Sequence, residues 1–175
     1  MKERLTHLYF GNGKGKTTAS MGLALRALGN GWRVVVVQFL KSHPSGEIAG
    51  LEKLGAKVIR STETMKFVFK MNEEEKQAAR AVQQKMLNEA VRLVDEGQVD
   101  LLVLDEAGSL CELDMLEDMN TLRQLVEHKP AGLELVITAH EPAQWLMDAA
   151  DYCTEMRCHR HPFVRGIPGR KGVEF

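Results

Sequence analysis

A chain of 175 residues, 44% apolar and 27% charged, is long enough to bury a real core and too apolar for a disordered segment. A formal net charge of -1 removes the electrostatic case for nucleic acid as a main partner, and no apolar run is long enough to span a bilayer. Cys111, Cys153 and Cys158, an odd number without a CxxC pair, speak against a disulfide framework and read as reduced thiols of a cytoplasmic protein.

The run LYF (8–10) is β-prone and stops at Gly11. After the glycine-rich stretch FGNGKGKTT (10–18), TTASMGLALRALGNG reads as a helix with Met21, Ala24, Leu25 and Leu28 on one face and Gly29 or Gly31 as its stop. RVVVVQFL (33–40) is short, β-branched and continuously apolar, as a strand buried on both faces would be. A short helix over 46–54 and a strand over 56–60 follow. The longest helix is expected over 72–96, with Asn72 and Glu75 spaced as a cap pair and Ala78, Val82, Met86, Ala90, Leu93 and Val94 facing the core. Gly97 ends it, and DLLVLDE (100–106) is a second buried strand. A helix over about 114–127 (Met115, Met119, Leu122 and Val126 inward), a strand over 133–138, a helix opening at Pro142 and a last strand over 152–156 complete the pattern. Residues 159–175 form a basic tail with Gly and Pro. Strands alternate with helices throughout, which predicts one α/β domain over 1–175: a doubly wound, mostly parallel sheet with helices on both faces. Ligands of such sheets bind at the carboxyl ends of the strands, where Gly11–Thr18, Gln38–Lys41, Asp105–Glu106 and Thr138–His140 should meet.

The loop carries the strongest chemical signal. Gly11, Gly13 and Gly15 permit close backbone approach and would turn successive N–H groups towards an anion, and the following helix adds its positive end. Lys16 supplies a mobile charge for phosphates, and the Thr17 hydroxyl suits Mg²⁺. The spacing departs from G-x-x-x-x-G-K-[ST], because Phe10 stands where the first glycine belongs. Asp105 and Glu106 end a buried strand, where either could hold Mg²⁺ directly or through water. TMKFVFKM (64–71) reads on its own as a short half-buried strand; the other reading makes Phe67 and Phe69 an apolar wall for a flat, bulky ligand. Cys158, His159 and His161 match no common structural zinc spacing. Lys14, Lys41, Arg165, Arg170 and Lys171 could reach phosphates or simply be solvated. No residue stands out to activate a water or a hydroxyl.

The run GNGKGKTTASMGLALRALGNGWRVVVVQFLKS closely resembles the start of the ATP:corrinoid adenosyltransferases of bacterial cobalamin synthesis and salvage. VDLLVLDE, KPAGLELVITAHEPAQWLMDAADYCTEM and the ending HPFVRGIPGRKGVEF resemble the same family in the same order. The resemblance implies a RecA-like P-loop fold, usually a homodimer, and transfer of the 5′-deoxyadenosyl group of ATP to a Co(I) corrinoid with release of triphosphate. It implies a flavoprotein or another electron donor as a partner, with neither nucleic acid nor membrane. By position, Asn12, Gly13, Lys14, Gly15, Lys16, Thr17 and Thr18 would contact ATP, and Thr17 and Glu106 would lie at Mg²⁺. Phe67 and Phe69 match an aromatic pair that packs beneath the corrin and excludes the lower axial ligand of cobalt, which eases reduction of Co(II). The family often has Trp at the second aromatic position and Thr-Gly-Arg or Thr-Gly-His at the strand end, where this chain has Phe69 and Thr138-Ala139-His140. Longer members also carry an N-terminal extension that helps cover the site. The competing readings are another P-loop kinase or ATPase, and a nucleotide-gated corrinoid carrier without catalysis.

Overall fold

Strands that are apolar on both sides need helices on both sides, and the computed structural model meets that demand. It describes residues 3–41, 45–61 and 66–174. The strands are β1 (Thr6–Phe10), β2 (Val34–Gln38), β3 (Lys57–Arg60), β4 (Leu101–Asp105), β5 (Glu134–Thr138) and β6 (Tyr152–Glu155). They form one sheet in the order β3-β2-β4-β5-β1-β6, and every neighbouring pair is parallel. Between them lie α1 (Lys16–Gly29), α2 (Gly46–Lys53), α3 (Glu73–Asp95), α4 (Ala107–Glu112), α5 (Met119–Glu127) and α6 (Gln144–Ala149).

Side chains alternate across a strand, so each central strand feeds two cores. Val34, Val36, Leu101, Val103 and Val136 face α1 and α2. Val35, Val37, Leu102, Leu104, Leu135 and Ile137 face the side of α3 to α6. β2 and β4 are buried along their whole length, as their continuous apolar runs require.

Three expectations need correction. On α1 the inward stripe is Ser20, Met21, Ala24 and Ala27, and Leu25 is 51% exposed. Small residues let this helix lie close to the sheet, so the longer leucine turns out to solvent. On α3 the capping box is present, with Glu75 N donating to Asn72 Oδ1 (2.8 Å) and Asn72 N to Glu75 Oε2 (3.0 Å). Its face, however, uses Ala79 with Gln83 and Gln84, while Ala78 is exposed. Both glutamines are buried because they satisfy loop backbone: Gln83 Oε1 accepts from Leu40 N (3.2 Å) and Gln84 Oε1 from Asp118 N (2.9 Å). The helix expected over about 114–127 starts only at Met119, as α5, and a separate short helix, α4, precedes it at Ala107–Glu112. Asp114 adopts φ 51° between them, and Asp118 caps the second through Asn120 N. Met115 is fully buried but lies in that connection rather than on a helix.

The strand ends remote from the site are clamped by charge. Arg33 donates to Asp100 through its backbone N, Nε and Nη2 at 2.9, 2.9 and 3.1 Å, which joins the start of β2 to that of β4. Those bonds hold the Asp100 carboxyl at about 2, below its ordinary 3.8. A carboxylate whose pKa is depressed by folding stabilises the fold above its unfolded pKa and loses that contribution as pH falls through the folded value. Asp100→Asn is therefore expected to lower urea stability at neutral pH and to flatten the acid limb between about pH 4 and about pH 2. Parallel acid limbs in the two proteins would refute this role.

Candidate active site

Four connections converge at the carboxyl edge of the sheet, and Asp105 is the point where they meet. The side chain is fully buried. Oδ1 accepts from the hydroxyls of Thr17 and Thr138, each at 2.9 Å. Oδ2 accepts from Lys41 Nζ at 2.5 Å and from Gln38 Nε2 at 3.4 Å. Lys41 Nζ also donates to Thr17 Oγ1 at 3.1 Å. The register pairs Gln38 with Asp105 across β2 and β4, so the buried polar cluster follows from sheet topology. Gln38 Oε1 is buried and has no donor among the described residues.

Glu106 follows in a left-handed conformation, φ 65°, which a non-glycine residue adopts at a cost and which often marks a functional edge. Its N–H donates to Thr138 Oγ1 (2.7 Å), and its Oε2 accepts from Ser109 Oγ (2.9 Å). Thr138 thus bridges the two acidic residues. Close packing continues behind it, where a Cβ at Gly108 would meet the Ala139 Cβ at 2.3 Å.

The glycine loop is shaped as much by its neighbours as by any anion. Gly11 N donates to His140 O (3.0 Å) and Gly13 N to Met156 O (2.7 Å). These two N–H groups are therefore engaged by protein carbonyls, which corrects the expectation that the loop turns successive N–H groups towards a ligand. A Cβ at Gly11 or Gly13 would lie 2.5 or 2.6 Å from Met156 O, so both positions require glycine because the chain leaving β6 crosses there. Asn12 Oδ1 tethers the same crossing by accepting from Cys158 N (2.9 Å). Gly15 holds φ 120° just before α1, and Lys16, Thr17 and Thr18 form the first turn, whose N–H groups have no partner within a helix. Lys16 Nζ lies over the loop, donating to Gly11 O (2.6 Å) and Gly13 O (3.0 Å).

Beside this edge opens a cleft of about 890 Å³. Thr17, Thr18 and Lys41 line one wall, and Phe67 and Phe69 stand on another. The strand expected around the two phenylalanines is instead a short 3₁₀ turn, Val68–Lys70; residues 62–65 lie outside the described residues. Phe67 and Phe69 are 68% and 81% exposed and stack with centroids 5.5 Å apart and planes 18° from parallel. Alternating strand pattern without burial is what misleads there. Lys70 Nζ sits 5.8 and 5.7 Å from the two ring centroids, and Lys66 pairs with Glu75 at the foot of α3.

Gly172, Val173 and Glu174 close part of the same cleft, a contribution that polarity patterns do not reveal. Glu174 accepts from Arg170 Nη2 (3.0 Å) and from Lys14 Nζ (2.9 Å), which together pull its carboxyl well below the usual carboxylate range. Lys14, Lys41 and Arg170 are therefore ion-paired, while Arg165 and Lys171 lie in the exposed tail. Cys158 lines a smaller pocket of about 500 Å³ with His159 and His140, and His161 Nδ1 accepts from Phe163 N.

A stacked aromatic wall and a phosphate-type loop sharing one cleft is the combination that comparison with known proteins resolves. The model of the ATP:corrinoid adenosyltransferases BtuR/CobO/CobP matches residues 2–175. The chain belongs to this family. The corrinoid adenosyltransferase of Pseudomonas aeruginosa is 33% identical over 169 residues, covering 96% of this chain and 82% of that protein. That of Escherichia coli K12 is 30% identical over 169 residues, covering 96% and 84%. Among solved structures, the second and third ATPases of EssC from Geobacillus thermodenitrificans match with a TM-score of 0.50 at 14% identity, over 88% of this chain and 32% of that one. This last likeness concerns the fold alone, a P-loop α/β sheet of the RecA-like kind. At the end of β5 the Ala139 methyl fills the space against Gly108.

Proposed function

We propose that the protein transfers the 5′-deoxyadenosyl group of ATP to the Co(I) of a corrinoid and releases triphosphate. The observation that carries this reading is the single cleft shared by Thr17, Thr18 and the stacked Phe67–Phe69 pair. The Co(I) electron pair forms the Co–C5′ bond as the C5′–O bond breaks, and the bonding pair of that C–O bond departs on the triphosphate. The nucleophile brings its own electrons and no proton leaves C5′, so no general base is needed. The remaining tasks are orientation of C5′ and neutralisation of the leaving group. Lys16 and the first-turn N–H groups of α1 serve the second task. Phe67 and Phe69 present an apolar face to the corrin and exclude a lower axial ligand, so that a four-coordinate Co(II) precursor is more readily reduced.

Mg²⁺ belongs to the proposal. Thr17, Asp105 and Glu106 offer the hard oxygen donors that it prefers. Two features fit a cation at this edge. The Lys41 ammonium stands between Thr17 Oγ1 and Asp105 Oδ2, and the buried Gln38 Oε1 lacks a donor among the described residues, as an acceptor for a metal-bound water would. When bound, the metal supplies positive charge to the triphosphate. The reading also includes a homodimer, a flavoprotein or other reductant, and a cytoplasmic location. Cys111, Cys153 and Cys158 as free thiols suit a reducing compartment. No helix among the described residues is long and apolar enough to cross a membrane.

The test is anaerobic incubation with reduced corrinoid, ATP and Mg²⁺, followed by visible spectroscopy and phosphate analysis. An alkyl-cobalt spectrum with stoichiometric triphosphate is expected. ADP or orthophosphate without that spectrum would point to a kinase or ATPase, and binding of both ligands without turnover to a carrier.

A further inference from the structure

We propose that Lys41 is a resident cation that exchanges with the divalent metal and then moves onto the triphosphate. The proposal rests on the metal reading above and adds a residue to it. Asp105 is wholly buried, and among the described residues its carboxylate accepts from Thr17, Thr138, Gln38 and Lys41. Among these donors Lys41 is the only one that carries a charge. A buried carboxylate without a counter-charge is strongly disfavoured, so Lys41 is what allows Asp105 to remain at this edge in the absence of metal.

Thr17 makes the two cations mutually exclusive. Its hydroxyl donates to Asp105 Oδ1 (2.9 Å), so its lone pairs face the cleft, and Lys41 Nζ occupies that side at 3.1 Å. A metal bound to Thr17 needs the same lone pairs, and an ammonium that close would repel it. The backbone leading to Lys41 is anchored, whereas its ammonium is held only through its bonds to Asp105 and Thr17 at the end of a four-carbon stem. Phe39 N donates to Asp105 O (3.0 Å) and Leu40 N to Gln83 Oε1 (3.2 Å), while Leu40 takes the left-handed step, φ 54°, that sets Lys41 on the cleft wall. The flexible four-carbon stem can carry its charge from the buried carboxylate into the cleft, where Thr17 and Thr18 begin α1. Entry of the metal would thus replace one positive charge with two at Asp105 and deliver a second ammonium, beside Lys16, to the leaving group.

Electron paramagnetic resonance titration of Mn²⁺ into the full-length protein without nucleotide tests the exchange. Lys41→Met is expected to bind Mn²⁺ alone about tenfold more tightly than wild type, because nothing competes for Thr17 and Asp105. Lys41→Arg retains the charge and should stay near wild type. With Mn²⁺ saturating, inorganic triphosphate should bind Lys41→Met about tenfold more weakly. Lys41→Gln provides a second neutral variant if Lys41→Met does not fold. Equal Mn²⁺ affinity in wild type and the neutral variants, with Mn²⁺–ATP still bound by wild type, would overturn the exchange and leave the metal site standing. Failure of every variant to bind Mn²⁺, with or without ATP, would overturn the metal reading as well.

Discussion

Lys16→Ala is expected to abolish adenosyl transfer to any corrinoid, with a loss of about 10²–10³-fold or more in kcat even when Co(I) is supplied preformed. Lys16 is the loop lysine whose ammonium already lies over the cradle, 2.6 and 3.0 Å from the carbonyls of Gly11 and Gly13. Those carbonyls hold it at the mouth of the first turn of α1, where a triphosphate would accumulate its departing charge. The loop has anchors besides this lysine. Gly11 and Gly13 are pinned by His140 and Met156, and Asn12 by the crossing at Cys158, so circular dichroism and melting temperature should change little. The loss should appear in single-turnover rates of alkyl-cobalt formation. Retention of more than about a tenth of the wild-type rate would be inconsistent with charge neutralisation by Lys16. Lys16→Arg should not restore it, since a planar guanidinium does not replace a compact ammonium in so close a cradle.

Phe69→Ala should separate reduction from transfer. Starting from Co(II), turnover is expected to fall about tenfold or more, equivalent to roughly 1.4 kcal/mol. Starting from preformed Co(I), it should remain near wild type. The residue is 81% exposed and its ring stacks on Phe67, so its removal should change stability by no more than about 0.5 kcal/mol. A functional loss of this selective kind would therefore reflect the apolar wall rather than unfolding. Equal impairment from Co(I) and Co(II) would contradict the assigned role. Phe69→Trp, which installs the side chain often found in the family, should preserve the Co(II) reaction.

Much of the architecture was legible because it rests on local patterns. RVVVVQFL and DLLVLDE, short, apolar and rich in Val and Leu, read as two-sided strands, and they are the buried β2 and β4. Asn72 with Glu75 marked the start of α3 because a capping box is complete within four residues. Patterns failed where polarity and burial part company. Gln83 and Gln84 lie in the core because remote loops need hydrogen-bond partners, and Met115 is buried in a connection that periodicity assigned to a helix. Phe67 and Phe69 alternate like a strand yet stand in solvent at the rim of a cleft.

The site divides in the same way. The phosphate-type loop and the acidic strand end are short stretches whose residue types pointed to them, whereas Phe67 and Phe69 read on their own as a half-buried strand and joined the site only through the family resemblance. What joins them is not contiguous. Asp105 receives Thr17 from after β1, Gln38 and Lys41 from the end of β2, and Thr138 from the end of β5, because parallel register brings those three strand ends to one edge. Gly11 and Gly13 looked like accommodation for phosphate, but the backbone of Met156, more than 140 positions away, is what leaves no room for a side chain there. The missing first glycine of the loop is also accounted for: Phe10 is the last residue of β1, hydrogen-bonded to Met156 N through its carbonyl, and the loop begins after it. Chemical identity thus resided in short stretches of sequence, whereas the pairing of charges and the close approach of backbones were decided by long-range sheet topology.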